Sequence, residues 1–140
     1  LTGAFRYTDV KSTYDGVLRE KPLTNRYKAL ATASYQTPLK KWQFDLTTSF
    51  NGGGRMPDPD KTNPLWNDTF KPYVLLNAQV TKNFKNWSVY VGGENLTNYK
   101  QKNPIIGADN PWGNDFDGSM VYGPVHGSKL YIGARWSLPR

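Results

Sequence analysis

The chain has 140 residues, enough for one domain of ordinary size, and 18 Lys and Arg residues against 11 Asp and Glu residues give it a formal net charge of +7. The basic residues are scattered, with no run longer than Lys40-Lys41, so we expect no nucleic-acid partner. The absence of cysteine excludes a disulfide scaffold and thiolate metal sites, a single His argues against a zinc site, and 13 Gly and 10 Pro residues argue against long helices.

Six segments alternate apolar and polar residues with a period of two, which is typical of strands whose two faces meet different surroundings. The first segment is weak and sets Gly3, Phe5 and Tyr7 against Thr2, Ala4, Arg6 and Thr8, whereas the other five are strong. The predicted strands are 2–8, 26–36, 41–50, 73–82, 87–94 and 129–136. Each strand is therefore predicted to have one apolar and one polar face.

The predicted strands are long for a soluble protein. Several run to about ten residues, whereas strands in globular proteins cluster near about 5–6 residues. A tilted strand that crosses a bilayer needs about 9–11 residues, and no stretch approaches the roughly 18 consecutive apolar residues of a membrane helix. The lengths favour a sheet that crosses a membrane.

The connections between the strands alternate in length. Two are short, at Pro38–Lys40 and Asn83–Asn86. Three are long, at Val10–Thr24, Gly52–Lys71 and Asn98–Ser128. Short turns on one rim and long loops on the other are typical of an outer-membrane barrel, whose short turns face the periplasm.

Aromatic residues lie at the ends of the predicted apolar faces. Tyr27 and Tyr35 are eight residues apart, as are Trp42 and Phe50, and at about 3.3 Å per residue each pair spans roughly 26 Å. This spacing suits two aromatic girdles around an apolar band of about 25 Å. The residues predicted to share the lipid-facing surface are Tyr27, Ala29, Ala31, Ala33, Trp42, Phe44, Leu46, Val89, Val91, Ile132 and Trp136.

The polar faces are predicted to line a protein-filled interior. In 89–94 this places Tyr90, Gly92 and Glu94 on the interior side, where the glycine lets a neighbouring strand or other contents approach closely. Lys28 and Gln43 belong to the same surface. Four charged residues are predicted to form a network on this side or to contact a plug domain, namely Arg26, Asp45, Glu94 and Arg135.

Several segments carry a resemblance to a known family. They are "ENLTN" at Glu94–Asn98, "FDGSMVYGPVHG" at Phe116–Gly127 and the last strand "KLYIGARW" at Lys129–Trp136, preceded by the turn, strand and loop start at Tyr35–Pro57. In this order and at these spacings they resemble the C-terminal end of TonB-dependent outer-membrane receptors, of the kind common in Bacteroidetes.

The resemblance implies a barrel of about 22 strands in the outer membrane of a Gram-negative cell, plugged by an N-terminal domain. It implies the uptake of a scarce ligand, such as a ferric siderophore, haem, cobalamin or a glycan, with energy delivered through TonB. The chain begins at Leu1 within a strand pattern and shows no signal peptide, so we expect a fragment or processed piece. Residues 1–140 would be an all-β, antiparallel six-strand meander at the C-terminal part of a large transmembrane β-barrel. The plug, the remaining strands and the contact with the TonB complex would lie outside it.

The long connection Asn98–Ser128 is the main candidate for ligand contact. About thirty residues without regular structure are uncommon unless they are functional or disordered, and the aromatic residues here argue against disorder. We expect this segment to pack on the extracellular rim or to contact the ligand. The candidate ligand contacts are Trp112 and Tyr122, as flat amphipathic surfaces, and Asp115 and Asp117, for a charged ligand.

Other kinds of site are weakly supported. The acidic segments Met56–Asn63 and Asp109–Asp117 lack the spacing of a calcium loop, and turn chemistry explains their composition, so we predict no metal site. No nucleophile–base pair or phosphate loop is present, so we predict that the protein is not an enzyme and has no cofactor. The resemblance implies a transport scaffold. The alternative function is a soluble β-sandwich or small β-barrel that binds carbohydrate through exposed Trp and Tyr.

Overall fold

The computed structural model describes residues 1–57 and 67–137, and these residues form an all-β structure. Pro38–Lys40 form a 3₁₀ turn, and no helix among the described residues is long and apolar enough to span a membrane. The strands are β1 (Thr2–Tyr7), β2 (Lys11–Tyr14), β3 (Val17–Glu20), β4 (Tyr27–Gln36), β5 (Trp42–Asn51), β6 (Gly54–Arg55), β7 (Thr69–Phe70), β8 (Tyr73–Asn83), β9 (Trp87–Glu94) and β10 (Lys129–Trp136).

Six of these strands form one antiparallel sheet in the order β1-β4-β5-β8-β9-β10. The predicted six-strand meander is confirmed, because each strand of the sheet pairs with the next one along the chain. The sheet is open, since β1 and β10 each pair on one side within the described part of the chain. The four remaining strands form two small hairpins, β2–β3 and β6–β7, inside the first two long connections.

The β2–β3 hairpin was not predicted, although its sequence contains a strong turn signal. Asp15 and Gly16 separate the two strands and adopt positive φ angles of 49° and 76°. Two consecutive left-handed residues form the turn whose twist matches that of a hairpin, and Asp-Gly is a favoured pair for it. The segment Val10–Thr24 therefore contains a β-hairpin and is not an irregular loop.

The two short turns lie side by side at one end of the sheet, which confirms the predicted arrangement. Asn83 joins them, because its backbone N–H donates to the carbonyl oxygen of Lys41 and its Nδ2 donates to that of Lys40, both at 2.8 Å. Leu39 and Lys40 adopt positive φ angles of 62° and 52° within the first turn. We call this end of the sheet, residues 36–43, 81–88 and 134–137, the short-turn rim.

The register gives the sheet one apolar and one polar face. Directly paired residues share a face, and one row across β4, β5, β8, β9 and β10 consists of Tyr35, Phe44, Val80, Val91 and Ile132. The adjacent row consists of Ser34, Asp45, Gln79, Gly92 and Tyr131. The predicted division of the strand residues between two faces of one sheet is confirmed, while Arg26 lies just before β4.

Gly92 of β9 and Gly133 of β10 are covered by tyrosine rings on the polar face. A Cβ on Gly92 would clash with the ring of Tyr131, and one on Gly133 would clash with the ring of Tyr90. The hydroxyl of Tyr131 also donates to Oε1 of Gln79 at 3.1 Å. The expected close approach of a neighbouring strand therefore takes the form of two aromatic rings lying over glycines.

Burial is concentrated at the long-connection end of the sheet and not in the middle of its strands. The buried apolar residues are Phe70, Tyr73 and Met120, with 4%, 8% and 7% of their surface exposed. On the apolar face Val91 is 53% exposed and Ile132 is 78% exposed. Among the described residues no second layer covers this face.

Candidate functional site

The segment Asn98–Ser128, which we call the long loop, folds against the end of β8 and β9. Ile106 and Asp117 exchange two backbone hydrogen bonds of 2.9 and 3.0 Å, which close the middle of the loop. The backbone N–H of Gln101 donates to the carbonyl oxygen of Pro124 at 2.8 Å. The loop therefore has a defined path without a regular strand of its own.

Asn95 fixes both ends of the long loop. It adopts a positive φ of 50°, and its backbone N–H donates to Oδ1 of Asn77 at 2.9 Å. Its Nδ2 donates to the carbonyl oxygens of Tyr99, at 2.8 Å, and His126, at 3.2 Å. The hydroxyl of Ser128 donates to the carbonyl oxygen of Asn95 at 2.7 Å. An Asn suits this position because it tolerates the left-handed conformation and offers a local hydrogen-bonding side chain.

An aromatic cluster anchors the loop to β7 and β8. The rings of Phe70 and Tyr122 stack with centroids 4.3 Å apart, and those of Tyr73 and Tyr99 stack at 4.5 Å. The hydroxyl of Tyr73 donates to the carbonyl oxygen of Tyr122 at 3.0 Å. Burial, together with the neighbouring hydroxyl of Tyr122, raises the pKa of Tyr99 above its ordinary value. Burial also raises the pKa of Tyr73, so the surroundings of these two stacked rings favour the neutral phenol.

Gln101 holds the returning part of the long loop, residues 120–123, in place. Its side chain is buried, with 5% of the residue exposed, and its Nε2 donates to the carbonyl oxygen of Met120 at 2.7 Å. Its Oε1 accepts from the backbone N–H groups of Tyr122, at 2.9 Å, and Gly123, at 3.2 Å. One side chain thus satisfies three backbone groups that strand pairing would otherwise satisfy.

A cavity of about 350 Å³ lies between the long loop and β7. Its apolar lining comes from Met56, Phe70, Ile105, Ile106, Met120 and Tyr122. Polar groups at the same cavity include Thr69, Asn103, Lys102 and Asp109. A volume of this size with an apolar wall and a few polar groups is typical of small-molecule sites. The cavity can accept a flat or apolar part of a ligand while its polar groups orient the remainder.

The structure does not bring the four predicted ligand contacts together. Tyr122 lines the cavity, whereas Trp112 is 96% exposed and Asp115 is exposed, and neither lines it. Asp117 instead accepts a hydrogen bond from the backbone N–H of Ser119 at 2.8 Å, and hydrogen bonds to Ser119 lower its pKa. The expectation that the loop aromatics pack on the rim holds for Tyr122 and not for Trp112.

Sequence reasoning missed most of the cavity wall. Phe70, Ile105, Ile106 and Met120 were not singled out, because isolated apolar residues in a loop show no periodicity. One available signal was Gln101, a long amide within an otherwise exposed polar run. A second was the Phe70-Lys71-Pro72 sequence, which ends a connection with a large ring directly before a strong strand.

The predicted charged network is also dispersed. Arg26 pairs with Glu20 of the β3 strand through two nitrogen atoms, at 3.0 and 3.1 Å. Asp45 accepts hydrogen bonds from Ser34 and Gln43. Glu94 and Arg135 lie at opposite ends of the β9–β10 pair, because Glu94 is opposite Lys129 and Arg135 is opposite Ser88. The last three residues share the polar face but lie in different rows and on different strands, and no hydrogen bond or ion pair joins them among the described residues.

No group of metal-ligating side chains is present in residues 1–57 and 67–137. Of the acidic residues considered for calcium, Asp58 and Asp60 lie outside the described residues. Asp109, Asp115 and Asp117 belong to the long loop. The carboxylate of Asp117 accepts a hydrogen bond from the backbone N–H of Ser119 within a turn.

No family model matches this chain, and searches of curated proteins and of solved structures found no significant match.

Proposed function

We propose that this chain is the C-terminal wall segment of a TonB-dependent outer-membrane receptor, whose apolar face contacts lipid and whose long-loop cavity contacts part of the transported ligand. The main supporting observation is the exposed apolar face of the six-stranded sheet. Residues such as Leu46, Val91 and Ile132 lie in the middle of long strands and are 46%, 53% and 78% exposed. A continuous apolar surface of this kind marks an interaction with a membrane or a protein.

The strand lengths support lipid as the partner of this face. β4 and β5 have ten residues each and β8 has eleven. Ten residues at about 3.3 Å each extend roughly 33 Å, and a tilt of about 40° reduces the height to roughly 25 Å. This matches the apolar band of an outer-membrane barrel.

The aromatic residues near the short-turn rim support a tilted sheet. Tyr35 pairs with Phe44 in one row of the apolar face, whereas Trp42 lies one row nearer the rim, in the row of Lys82 and Val89. Trp87 and Trp136 pair one row further still.

Tyr35 on β4 lies in the same row as Ile132 on β10, whereas Trp136 lies two rows of the apolar face nearer the rim. The line of aromatic residues therefore moves by two rows while it crosses four strand spacings. Two rows correspond to four residues, or about 13 Å along a strand, and four spacings are about 19 Å across the sheet. A plane through these aromatics then makes an angle of roughly 35° with the rows. Since strands of outer-membrane barrels tilt by about 35–45°, the aromatics follow the path of one membrane interface.

The open edges of the sheet fit a segment of a larger barrel. Within residues 1–57 and 67–137, β1 and β10 each have one edge without a partner strand, over six and eight residues. Exposed edges of this kind favour aggregation unless another strand covers them. In the proposed receptor the remaining barrel strands pair with both edges, and the N-terminal plug occupies the polar side.

The rival β-sandwich requires a second sheet across the apolar face. The hairpins β2–β3 and β6–β7 are the other paired strands of the described chain, and both lie in connections at the opposite end from the short-turn rim. They are also too short, at four and two residues per strand, to cover strands of ten.

The cavity supports a role in ligand contact. It lies at the end of the sheet that carries the long connections, which faces the outside of the cell in this receptor class. Its mixed lining suits a ferric siderophore, haem, cobalamin or a glycan, each of which combines apolar or flat surfaces with polar groups. Energy from TonB would act through the regions that lie outside this chain.

The proposal is tested on the full-length protein in cells that lack other receptors. We expect the protein in the outer-membrane fraction, with the different gel mobilities before and after heating that are typical of folded barrels. Uptake is then measured with radiolabelled ferric siderophores, haem, cobalamin and oligosaccharides, with and without TonB. A soluble monomer that binds oligosaccharide independently of TonB would replace this proposal with the rival function.

Met120→Arg tests the cavity within the same assay. The change places a charged side chain in the apolar wall, so TonB-dependent uptake should fall at unchanged surface abundance. Trp112→Arg is the matched control, because Trp112 belongs to the same loop but is 96% exposed and outside the cavity. Equal uptake by both variants and the native receptor would remove the cavity from the ligand path.

A further inference from the structure

Charge is distributed unequally between the two ends of the sheet. The short-turn rim carries no acidic residue. It carries four lysines, Lys40, Lys41, Lys82 and Lys85, and Arg135, which belongs to the polar face of the sheet. The acidic residues that the structure describes lie at the long-connection end, apart from Asp45 inside β5. The basic residues of this rim therefore have no carboxylate neighbours on the rim to neutralise them.

Lys82 shows how a cation is held beside the apolar face. It lies in the same row as Trp42 and Val89, and the residue is half-buried. Its Nζ lies 4.2 Å from the centroid of the Trp42 ring and 6.0 Å from that of Phe84. The hydrocarbon stem covers the apolar face while the ammonium group stays with the aromatic rings at its border.

The rim is held together as one surface. Asn83 joins the two turns through its bonds to Lys40 and Lys41, and the rings of Phe84 and Trp87 stack with centroids 4.0 Å apart. The backbone N–H of Ser137 donates to the carbonyl oxygen of Asn86 at 2.8 Å, which adds the end of β10 to the same surface. The positions of the basic residues are thus fixed relative to one another by the sheet and its turns.

We propose that the short-turn rim binds the phosphate groups of anionic phospholipids in the leaflet that it meets. This inference rests on the proposed function, because it requires the apolar face to lie in a bilayer. Aromatic rings then lie at the level of the headgroups, and ammonium groups beside them meet the lipid phosphates. Each ammonium group can donate charge-assisted hydrogen bonds to a phosphate oxygen.

A bilayer fits this surface better than a soluble polyanion does. The basic residues share the rim with exposed apolar side chains, among them Leu39 at 84%, Phe84 at 45% and Trp136 at 68% exposure. A nucleic acid or acidic peptide satisfies the cations but leaves these apolar groups in water. A phospholipid interface accommodates both, since its phosphates lie directly above its acyl chains.

The test uses the full-length protein reconstituted into phosphatidylcholine vesicles that contain a minor fraction of spin-labelled phosphatidylglycerol or spin-labelled phosphatidylcholine. The fraction of immobilised lipid at the protein surface is measured for each label by electron paramagnetic resonance. We expect a severalfold preference for phosphatidylglycerol over phosphatidylcholine. High salt should reduce it in the native protein, because salt screens exposed charges.

The variant Lys40→Gln, Lys41→Gln, Lys82→Gln and Lys85→Gln should lose most of this preference. A matched variant with four neutralised lysines at the opposite end, Lys11→Gln, Lys21→Gln, Lys71→Gln and Lys100→Gln, should retain it. The same preference in both variants, or a preference in the native protein that salt does not change, would overturn the inference. The salt titration decides the question even if the first variant does not fold.

The readouts separate this inference from the function on which it rests. Immobilised lipid of either kind shows that the protein is inserted, whatever the headgroup. Insertion without preference contradicts the lipid-binding rim alone, whereas no immobilised lipid contradicts the proposed membrane segment itself.

Discussion

The side-chain amide of Gln101 donates a hydrogen bond of 2.7 Å to the carbonyl oxygen of Met120, nineteen residues further along the chain. The same side chain accepts from the backbone N–H groups of Tyr122 and Gly123. Gln101→Met preserves the length of the side chain but leaves these groups without a partner. Each buried group left unsatisfied costs about 1–3 kcal/mol, so the loop should open more often.

Amide hydrogen exchange of the full-length protein measures this effect at Tyr122 and Gly123. Their exchange should become faster in Gln101→Met, while amides in the middle of β5 remain protected. Lys100→Met is the control, since the neighbouring Lys100 is exposed. Unchanged exchange at Tyr122 and Gly123 would show that the amide of Gln101 does not hold the loop.

Gly92 should not tolerate a side chain. Because the ring of Tyr131 covers the position that a Cβ would take, Gly92→Ala should destabilise the protein by about 1–3 kcal/mol, as overpacking does. Gly3→Ala should have little effect, since a Cβ on Gly3 would lie 3.9 Å from the carbonyl oxygen of Leu30, which is ordinary van der Waals contact. Chemical unfolding in vesicles measures both changes.

The double variant Gly92→Ala/Tyr131→Ala isolates the contact. If the ring is the obstacle, the cost of Gly92→Ala should be smaller when Tyr131 is already Ala, giving a coupling free energy above about 0.5 kcal/mol. Additive costs would assign the effect of Gly92→Ala to the backbone and not to the ring.

Ionisation of Tyr99 at alkaline pH should weaken the docking of the long loop. Because its pKa is raised, the folded loop favours the neutral phenol, and the associated stability is complete below the ordinary Tyr pKa of about 10. This stability is lost as the pH rises towards the raised value. Tyrosinate absorbance measured for the native protein minus that for Tyr99→Phe should show one group titrating above the ordinary range. A difference curve centred near 10 would contradict the burial of Tyr99 in the cluster.

An added charge should destabilise the protein more on the apolar face of β4 than on its polar face. Ala31 lies on the apolar face of β4, opposite Thr48, so Ala31→Arg should cost about 2–4 kcal/mol in a bilayer if it lies near the midplane. Ser34 lies on the polar face opposite Asp45, and Ser34→Arg should cost much less. Unfolding in vesicles compares them, and equal costs would argue against lipid on the apolar face.

The strands, their order and their facing could be predicted because each depends on a local pattern. Alternation places Phe44 and Asp45 on opposite faces without knowledge of the partner strand, and short turns such as Pro38–Lys40 leave antiparallel pairing as the simple solution. The β2–β3 hairpin also depends on a local signal, the Asp15-Gly16 turn. The sequence prediction nevertheless treated the whole segment Val10–Thr24 as a connection without strands.

The cavity and the loop path could not be predicted in the same way. They depend on contacts between residues far apart in sequence, such as Gln101 with Met120 and Phe70 with Tyr122. No periodic pattern in the sequence predicts such contacts. The structure separates the four charged residues, which were predicted to form a network or to contact a plug domain, for a related reason. Alternation placed Glu94 and Arg135 on one face, but the register of β9 and β10 sets them at opposite ends.

The central claim is that the apolar face contacts lipid. The chain contains no cysteine, so single cysteines can be introduced at neighbouring positions of opposite facing, Leu46 and Thr47 on β5 and Val91 and Tyr90 on β9. The full-length protein, free of other cysteines, carries an environment-sensitive fluorophore at each position and is reconstituted into bilayers of brominated phosphatidylcholine. The account predicts strong quenching at 46 and 91 and little at 47 and 90. Equal quenching on both faces, or stronger quenching at 47 and 90, would contradict it.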